Sequence, residues 1–294
     1  MKKPPLHWQT TTLWDYPSQQ YGGGTQGDTG YTGATPAYII WNLLQRYTKK
    51  KDLVVDPMCG SGTTLDVARD LGRRALGYDL APTRTDIFRA DARKLPLEAE
   101  KADFVFIDPP YSDHVEYAGG EKCIGRLSAL GEAYYGAMAE VIREIDRVLR
   151  PGRYMALYVS DSYEKGKPFM PIGFRLYAAL AERFTSVDII AVKRHNAKLF
   201  RNHWHTAAVE RNYFLRGFNY LFIMYKPVRP GALPEPRCDA EAVEDELAAR
   251  RVSPGRGSAE GKGNAREKER RGEAADSRAG RSRKPRTRRG DREN

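Results

Sequence analysis

Asp108-Pro109-Pro110-Tyr111 places an acid, two ring-locked residues and an aromatic ring in direct succession after the apolar run "DFVFI". Consecutive prolines fix φ near −65° and remove two N–H donors, so neighbouring carbonyls and side chains are held before any substrate arrives. A carboxylate and a carbonyl held this way are acceptors for a partner that carries N–H groups. An amino group on an aromatic base is such a partner. Its lone pair is delocalised into the ring, and acceptors that engage its hydrogens draw that pair out of the plane. Tyr111 adds a face on which a base can stack. The bland alternative is a proline-rich turn with a buried tyrosine.

A second segment, "DPMCGSGTT" (Asp56 to Thr64), follows the apolar run "DLVV". Gly60 and Gly62 allow a ligand close to the backbone, and a helix N-terminus after them offers unpaired N–H groups. Asp79 ends the next apolar run, about 20 residues on, where a carboxylate can accept both hydroxyls of a ribose. There is no G-x-x-x-x-G-K-[ST] to cradle phosphates. A ribose-binding acid without a phosphate cradle suits S-adenosylmethionine better than a nucleoside triphosphate. Asp56, Pro57, Cys59, Gly60, Gly62 and Thr63 of this loop are therefore candidate cofactor residues, with Asp79, Asp91 and Asp108 at strand ends.

These residues need a frame that brings strand ends together. Strands are expected at 52–56, 74–79, 85–91, 102–108, 154–161, 186–193 and 219–226. Helices are expected from Thr35-Pro36, from Gly62 to Gly72, from Ser128 to Leu149 up to a Pro151-Gly152 turn, and at 174–183. Strands alternating with helices imply a parallel, doubly wound sheet. The last two strands are joined by a long loop without a crossover helix, so one should run antiparallel.

Together these residues resemble the amino-methyltransferase family that makes N6-methyladenine and N4-methylcytosine in DNA. "DPMCGSGTT" resembles its cofactor motif and "DPPY" its catalytic motif. "TPAYIIWNLL" resembles the helix whose start, here Thr35 and Pro36, touches the methionine end of the cofactor. "RVLRPGRYMALYV" and "RGFNYLFIMYKP" resemble the helix-turn-strand after catalysis and the closing strand. The resemblance covers residues 35–227. It implies a Rossmann-like, seven-stranded class I methyltransferase fold, S-adenosylmethionine as donor, and extrusion of the target base from duplex DNA. Asp108 at the head of the catalytic motif points to adenine N6, with cytosine N4 open. RNA amino-methyltransferases share D/N-P-P-Y and stay open too, as does a binding partner without catalysis. A cognate restriction endonuclease is a partner the resemblance allows. Oligomeric state is not indicated.

Charge is unevenly placed. The net charge of the 294 residues is +11, but from Arg251 to Asn294 fifteen Lys/Arg face seven Asp/Glu, a net +8. No Phe, Trp or Tyr follows Tyr225. Such a segment buries too little apolar surface to offset its conformational entropy, so residues 228–294 are expected to be a disordered charged tail. Its densest block, "RSRKPRTRR" (Arg281 to Arg289), would attract a polyanion without reading sequence. Residues 1–34 should form an irregular N-terminal segment and 35–227 the methyltransferase domain. Within that domain, residues 192–217 mix cations with rings. Lys193, Arg194, His195, Lys198, Arg201, Trp204 and Arg211 are the candidate nucleic-acid contacts. Cys59, Cys123 and Cys238 show neither disulfide nor zinc spacing, and no metal site is expected. With no apolar leader and no spanning segment, a cytoplasmic protein with no membrane partner is expected.

Overall fold

The computed structural model describes residues 6–16, 18–31, 33–113, 119–164, 166–235 and 237–252. Eight strands form one sheet: β1 (Leu13–Trp14), β2 (Leu53–Asp56), β3 (Arg74–Asp79), β4 (Ile87–Arg89), β5 (Ala102–Ile107), β6 (Leu149–Val159), β7 (Thr185–Lys193) and β8 (Phe218–Lys226). Their order across the sheet is β1-β7-β8-β6-β5-β2-β3-β4. The doubly wound α/β architecture is the one expected. β8 alone runs antiparallel, slotted between β6 and β7. The seven expected strands are joined by β1, which pairs parallel with β7 through two residues.

The α-helices among the described residues are α1 (Ala37–Tyr47), α2 (Thr63–Asp70), α3 (Glu132–Val148), α4 (Ile172–Ala181), α5 (Asn202–Glu210) and α6 (Ala240–Val252). Along α3, Tyr134, Met138, Val141, Ile142, Ile145 and Val148 recur at helical spacing, and all are buried. With α4 they form the core on one face of the sheet. On the other face α1 brings Ile39, Ile40, Leu43 and Leu44 against Phe104, Phe106 and Ile223. Each such side chain contributes roughly 1.5–3 kcal/mol when removed from water. No helix among the described residues is long and apolar enough to cross a membrane.

The N-terminal segment is irregular apart from β1, and it packs into the body, with Trp14, Tyr16 and Tyr21 buried beside Tyr38 of α1. Two expectations need correcting. Pro151-Gly152 does not close a turn before β6 but lies inside it. Gly152 at φ +75° and a register shift opposite β5 absorb the bend. The compact unit extends to Ala249 rather than ending at residue 227. Beyond β8, Arg237 grips Asp52 through two bonds of 2.9 Å, and Asp239 pairs with the buried Arg73 at 3.0 Å. Ion pairs do there what an apolar stripe does elsewhere. The block Arg281 to Arg289 lies outside the described residues.

Candidate active site

Parallel strands β2, β3 and β5 end side by side, so the residues after them converge. A cavity of about 510 Å³ opens there, a size usual for a small-molecule site. Asp108, Pro109, Pro110 and Tyr111 line one side, and Asp56, Pro57, Cys59, Gly60, Thr63, Asp79 and Asp91 line the other. Thr35 and Arg194 also reach it. Pro36 and Gly62 do not line it.

Asp108 is the most constrained group. Its Oδ2 accepts from Thr35 Oγ1 at 2.5 Å and its Oδ1 from the Tyr111 hydroxyl at 2.6 Å. Burial pushes its carboxyl up to about 7, against the opposing pull of those two hydrogen bonds and the Arg194 charge. The Pro110 carbonyl accepts from Tyr134 OH at 2.8 Å. The Pro109 carbonyl has no such partner among the described residues. The corner then turns sharply: Ser112 has φ +81°, and its Oγ, accepting from the Ala129 N–H at 2.8 Å, pins the turn. Tyr111 thus does not stand open for stacking but folds back onto the acid.

The glycine bend is built from both sides. Gly60 and Gly62 have φ of +47° and +81°, which suits residues without a Cβ. Asp79 Oδ2 accepts from the Gly60 N–H at 3.1 Å and Oδ1 from the Ala81 N–H at 2.9 Å. Asp56, raised by burial to about 7, ties the loop through Thr64 Oγ1 at 2.6 Å and the Met58 N–H at 3.1 Å. The Asp91 carboxylate is engaged by Arg93 at 2.7 Å.

Two further residues shape the bend, and neither stands out in the sequence. A Cβ on Gly62 would lie 2.5 Å from the Arg84 guanidinium, which spans Asp66 and Asp86. The absent side chain of Gly62 therefore makes room for Arg84, not for a ligand. A Cβ on Gly60 would lie 2.9 Å from the ring of Tyr31. Tyr31 belongs to the Gly-rich segment that docks on the loop through Gly27 N–H to Asp66 and Asp28 N–H to Ser61 O, both 2.8 Å. The spacing of "GDTGYTG" holds no signal for that docking.

Residues 3–90 match the "DNA methylase" family model of the N6/N4 methyltransferases. Over that stretch, less than a third of its length, the chain is similar to the DNA amino-methyltransferase family. Over 44 residues it is 46% identical to the type II methyltransferase M2.LlaDCHI of Lactococcus lactis subsp. cremoris, which covers 15% of this chain and 16% of that one. Over 86 residues it is 34% identical to the tRNA (guanine(10)-N2)-dimethyltransferase of Methanothermobacter thermautotrophicus, covering 24% and 25%. The aligned stretches are thus a quarter or less of those relatives' own length. Among solved structures, TrmN from Thermus thermophilus superposes with a TM-score of 0.42 at 20% identity, over 65% of this chain and 48% of that one.

Similarity to the amino-methyltransferases over residues 3–90 implies S-adenosylmethionine as cofactor, and the residues fit it. Asp79 makes two backbone bonds, which leaves acceptor capacity on a carboxylate that has about four lone-pair sites. No Lys or Arg is positioned as a phosphate partner on that side of the cavity.

The expected nucleic-acid residues separate into three groups. Lys193, exposed, pairs with Asp15 at 2.8 Å, and His195 Nε2 meets the same carboxylate, so both contact the N-terminal segment. Lys198 lies over the Trp204 ring at 4.9 Å, while Arg201 and Arg211 are exposed. These belong to or flank α5, a helix with no buried residue, where a loop was expected. Arg194 alone turns inward to the cavity.

Proposed function

We propose that the chain transfers a methyl group from S-adenosylmethionine to the exocyclic amine of a base in duplex DNA, adenine N6 ahead of cytosine N4. One observation supports this most directly: the Asp108-Pro109-Pro110-Tyr111 corner shares a single cavity with the Gly60 bend and Asp79. When bound, S-adenosylmethionine supplies an electrophilic methyl on a sulfonium. Asp79 would hold its ribose, and Thr35, at the start of α1, would lie toward its methionine end. A base inside a duplex cannot reach Asp108, so it must be extruded at a cost of a few kcal/mol.

Asp108 accepts one amine hydrogen and the Pro109 carbonyl the other, which localises the nitrogen lone pair for attack. Because Tyr111 OH occupies Asp108 Oδ1, the hydroxyl must withdraw as the amine enters. Its ring is then available as a stacking face. The ionised Asp108 can take the proton that the nitrogen sheds on gaining the methyl. The preference for adenine rests on Asp at the head of the motif. Exposed Arg201 and Arg211 would contact phosphates, a cytoplasmic setting would suit this substrate, and a cognate endonuclease would fit a type II pairing.

Similarity to the tRNA dimethyltransferase favours RNA amine methylation as a second reading. Labelled methyl transfer to duplex DNA, tRNA and ribosomal RNA separates the two, with base analysis of the product. Label in duplex DNA as N6-methyladenine, lost by roughly 10²–10⁴-fold in Asp108→Ala, is expected. Undiminished transfer by that variant would sink the mechanism, and label in tRNA alone would sink the substrate.

A further inference from the structure

The sheet order divides the cavity into two flanks. β2 and β3, which bring the glycine bend and Asp79, lie on one side of β5. β6, β8 and β7 lie on the other, and that is the side left for the acceptor base. Arg194 comes from the end of β7 and reaches the cavity from there. It is the only Lys or Arg among the lining residues, which include Asp56, Asp79, Asp91 and Asp108. Its backbone N–H is fixed on Gly217 O at 2.9 Å, and its Nη1 donates to Ser160 Oγ at 3.1 Å. No other side-chain bond of Arg194 exists among the described residues. A guanidinium has five N–H donors, so most remain unused. Its charge acts on Asp108 and on Tyr111, yet it does not close into an ion pair with Asp108.

We propose that Arg194 orients the acceptor base by donating to the unprotonated ring nitrogen beside the amine, while Asp108 accepts from the amine itself. This rests on the reading of the site as a DNA amino-methyltransferase. Adenine presents an amine next to the acceptor N1, and cytosine an amine next to the acceptor N3. A carboxylate and a guanidinium facing one cavity offer the complementary acceptor-and-donor pair. Guanine carries a hydrogen on N1 beside its amine, so that edge would meet a donor with a donor. Arg194 is thus a specificity residue for bases whose amine adjoins a bare ring nitrogen. Ser160 is its positioning residue.

The test pairs a protein change with a substrate change, on the full chain. Duplex DNA is prepared with the methylated adenine replaced by 1-deazaadenine, or, if cytosine is the target, by 3-deazacytosine. On ordinary DNA, Arg194→Met should lose about 10- to 100-fold in kcat/KM, the range of a hydrogen bond from a charged group. On the deaza duplex the unaltered chain should lose a similar factor, and Arg194→Met should lose nothing more. Losses that multiply instead would overturn the proposal. So would loss of S-adenosylmethionine binding in Arg194→Met by calorimetry, since the arginine would then serve the cofactor. If that variant does not fold, Ser160→Ala keeps the charge but frees it; its smaller loss should also vanish on the deaza duplex, and a loss that persists overturns the assignment. No methyl transfer to ordinary duplex DNA by the unaltered chain would remove the underlying reading and this inference with it.

Discussion

In the proposed methyl transfer, Asp108 would link the reaction to pH through its burial. Its carboxyl stands at about 7 rather than 3.8, because burial penalises the charge more than Thr35, Tyr111 and Arg194 favour it. Accepting an amine hydrogen requires the ionised form, so the single-turnover rate should climb through about pH 7 and then level. Thr35→Val removes a bond that favours the charged form and should move that midpoint to higher pH. A rate independent of pH between 5.5 and 8.5 would contradict this. Stability should run the other way. Between about pH 4 and 7 the folded state keeps a proton that the unfolded state has released, so folding weakens as pH rises. Asp56, also raised to about 7 by burial, adds to the same trend, and because it ties the glycine loop its titration should show in cofactor affinity. Thermal unfolding at pH 5 and 7.5 checks the sign: the decline in Tm should be shallower in Asp108→Asn.

At the level of elements, the glycine bend and its N-terminal cover form one unit. An alanine at position 60 would adopt φ +47°, at about 1–2 kcal/mol, and would press its Cβ on the Tyr31 ring. Gly60→Ala should therefore weaken cofactor binding by about tenfold or more, since each 1.4 kcal/mol is a factor of ten. Removing the ring in Gly60→Ala/Tyr31→Ala should restore the steric part and leave the backbone part. Calorimetry would show a double variant no better than Gly60→Ala if the ring is not what the methyl strikes. The central strands were legible because β5, β6 and β8 carry long apolar runs, and the two motifs because glycines and prolines punctuate strand ends. Two-residue β1 is too short for any period to register. In α5, "NHWHTAAVE" buries nothing, so it carries no apolar stripe to betray a helix. Arg84 and Arg194 look like any other cation along the chain. Only their three-dimensional partners, Asp66 and Asp86 for one and Ser160 for the other, set them apart.

For the molecule as a whole, truncation after β8 separates a structural contribution from the attraction to DNA proposed for the basic tail. Glu235, Arg237 and Asp239 fasten the strand ends opposite the cavity: Tyr154 OH donates to Glu235 O, Arg237 holds Asp52, and Asp239 holds Arg73. Arg73 is 5% exposed and also donates to Thr48 Oγ1 and to backbone carbonyls of Leu71 and Thr48. Without Asp239 it keeps those bonds but loses its only ion pair among the described residues, leaving a buried charge undercompensated by about 1–3 kcal/mol. A chain ending at residue 227 should thus melt several degrees lower than one ending at 252, at roughly 2–4 °C per kcal/mol for a domain of this size. The chain ending at 252 should melt with the full protein and methylate the same sequence. What it should lose is electrostatic reach, because fourteen Lys/Arg face seven Asp/Glu after Val252. Each phosphate contact removed flattens the slope of log affinity against log salt by about 0.9. An unchanged slope in the chain ending at 252 would mean that those basic residues serve something other than DNA.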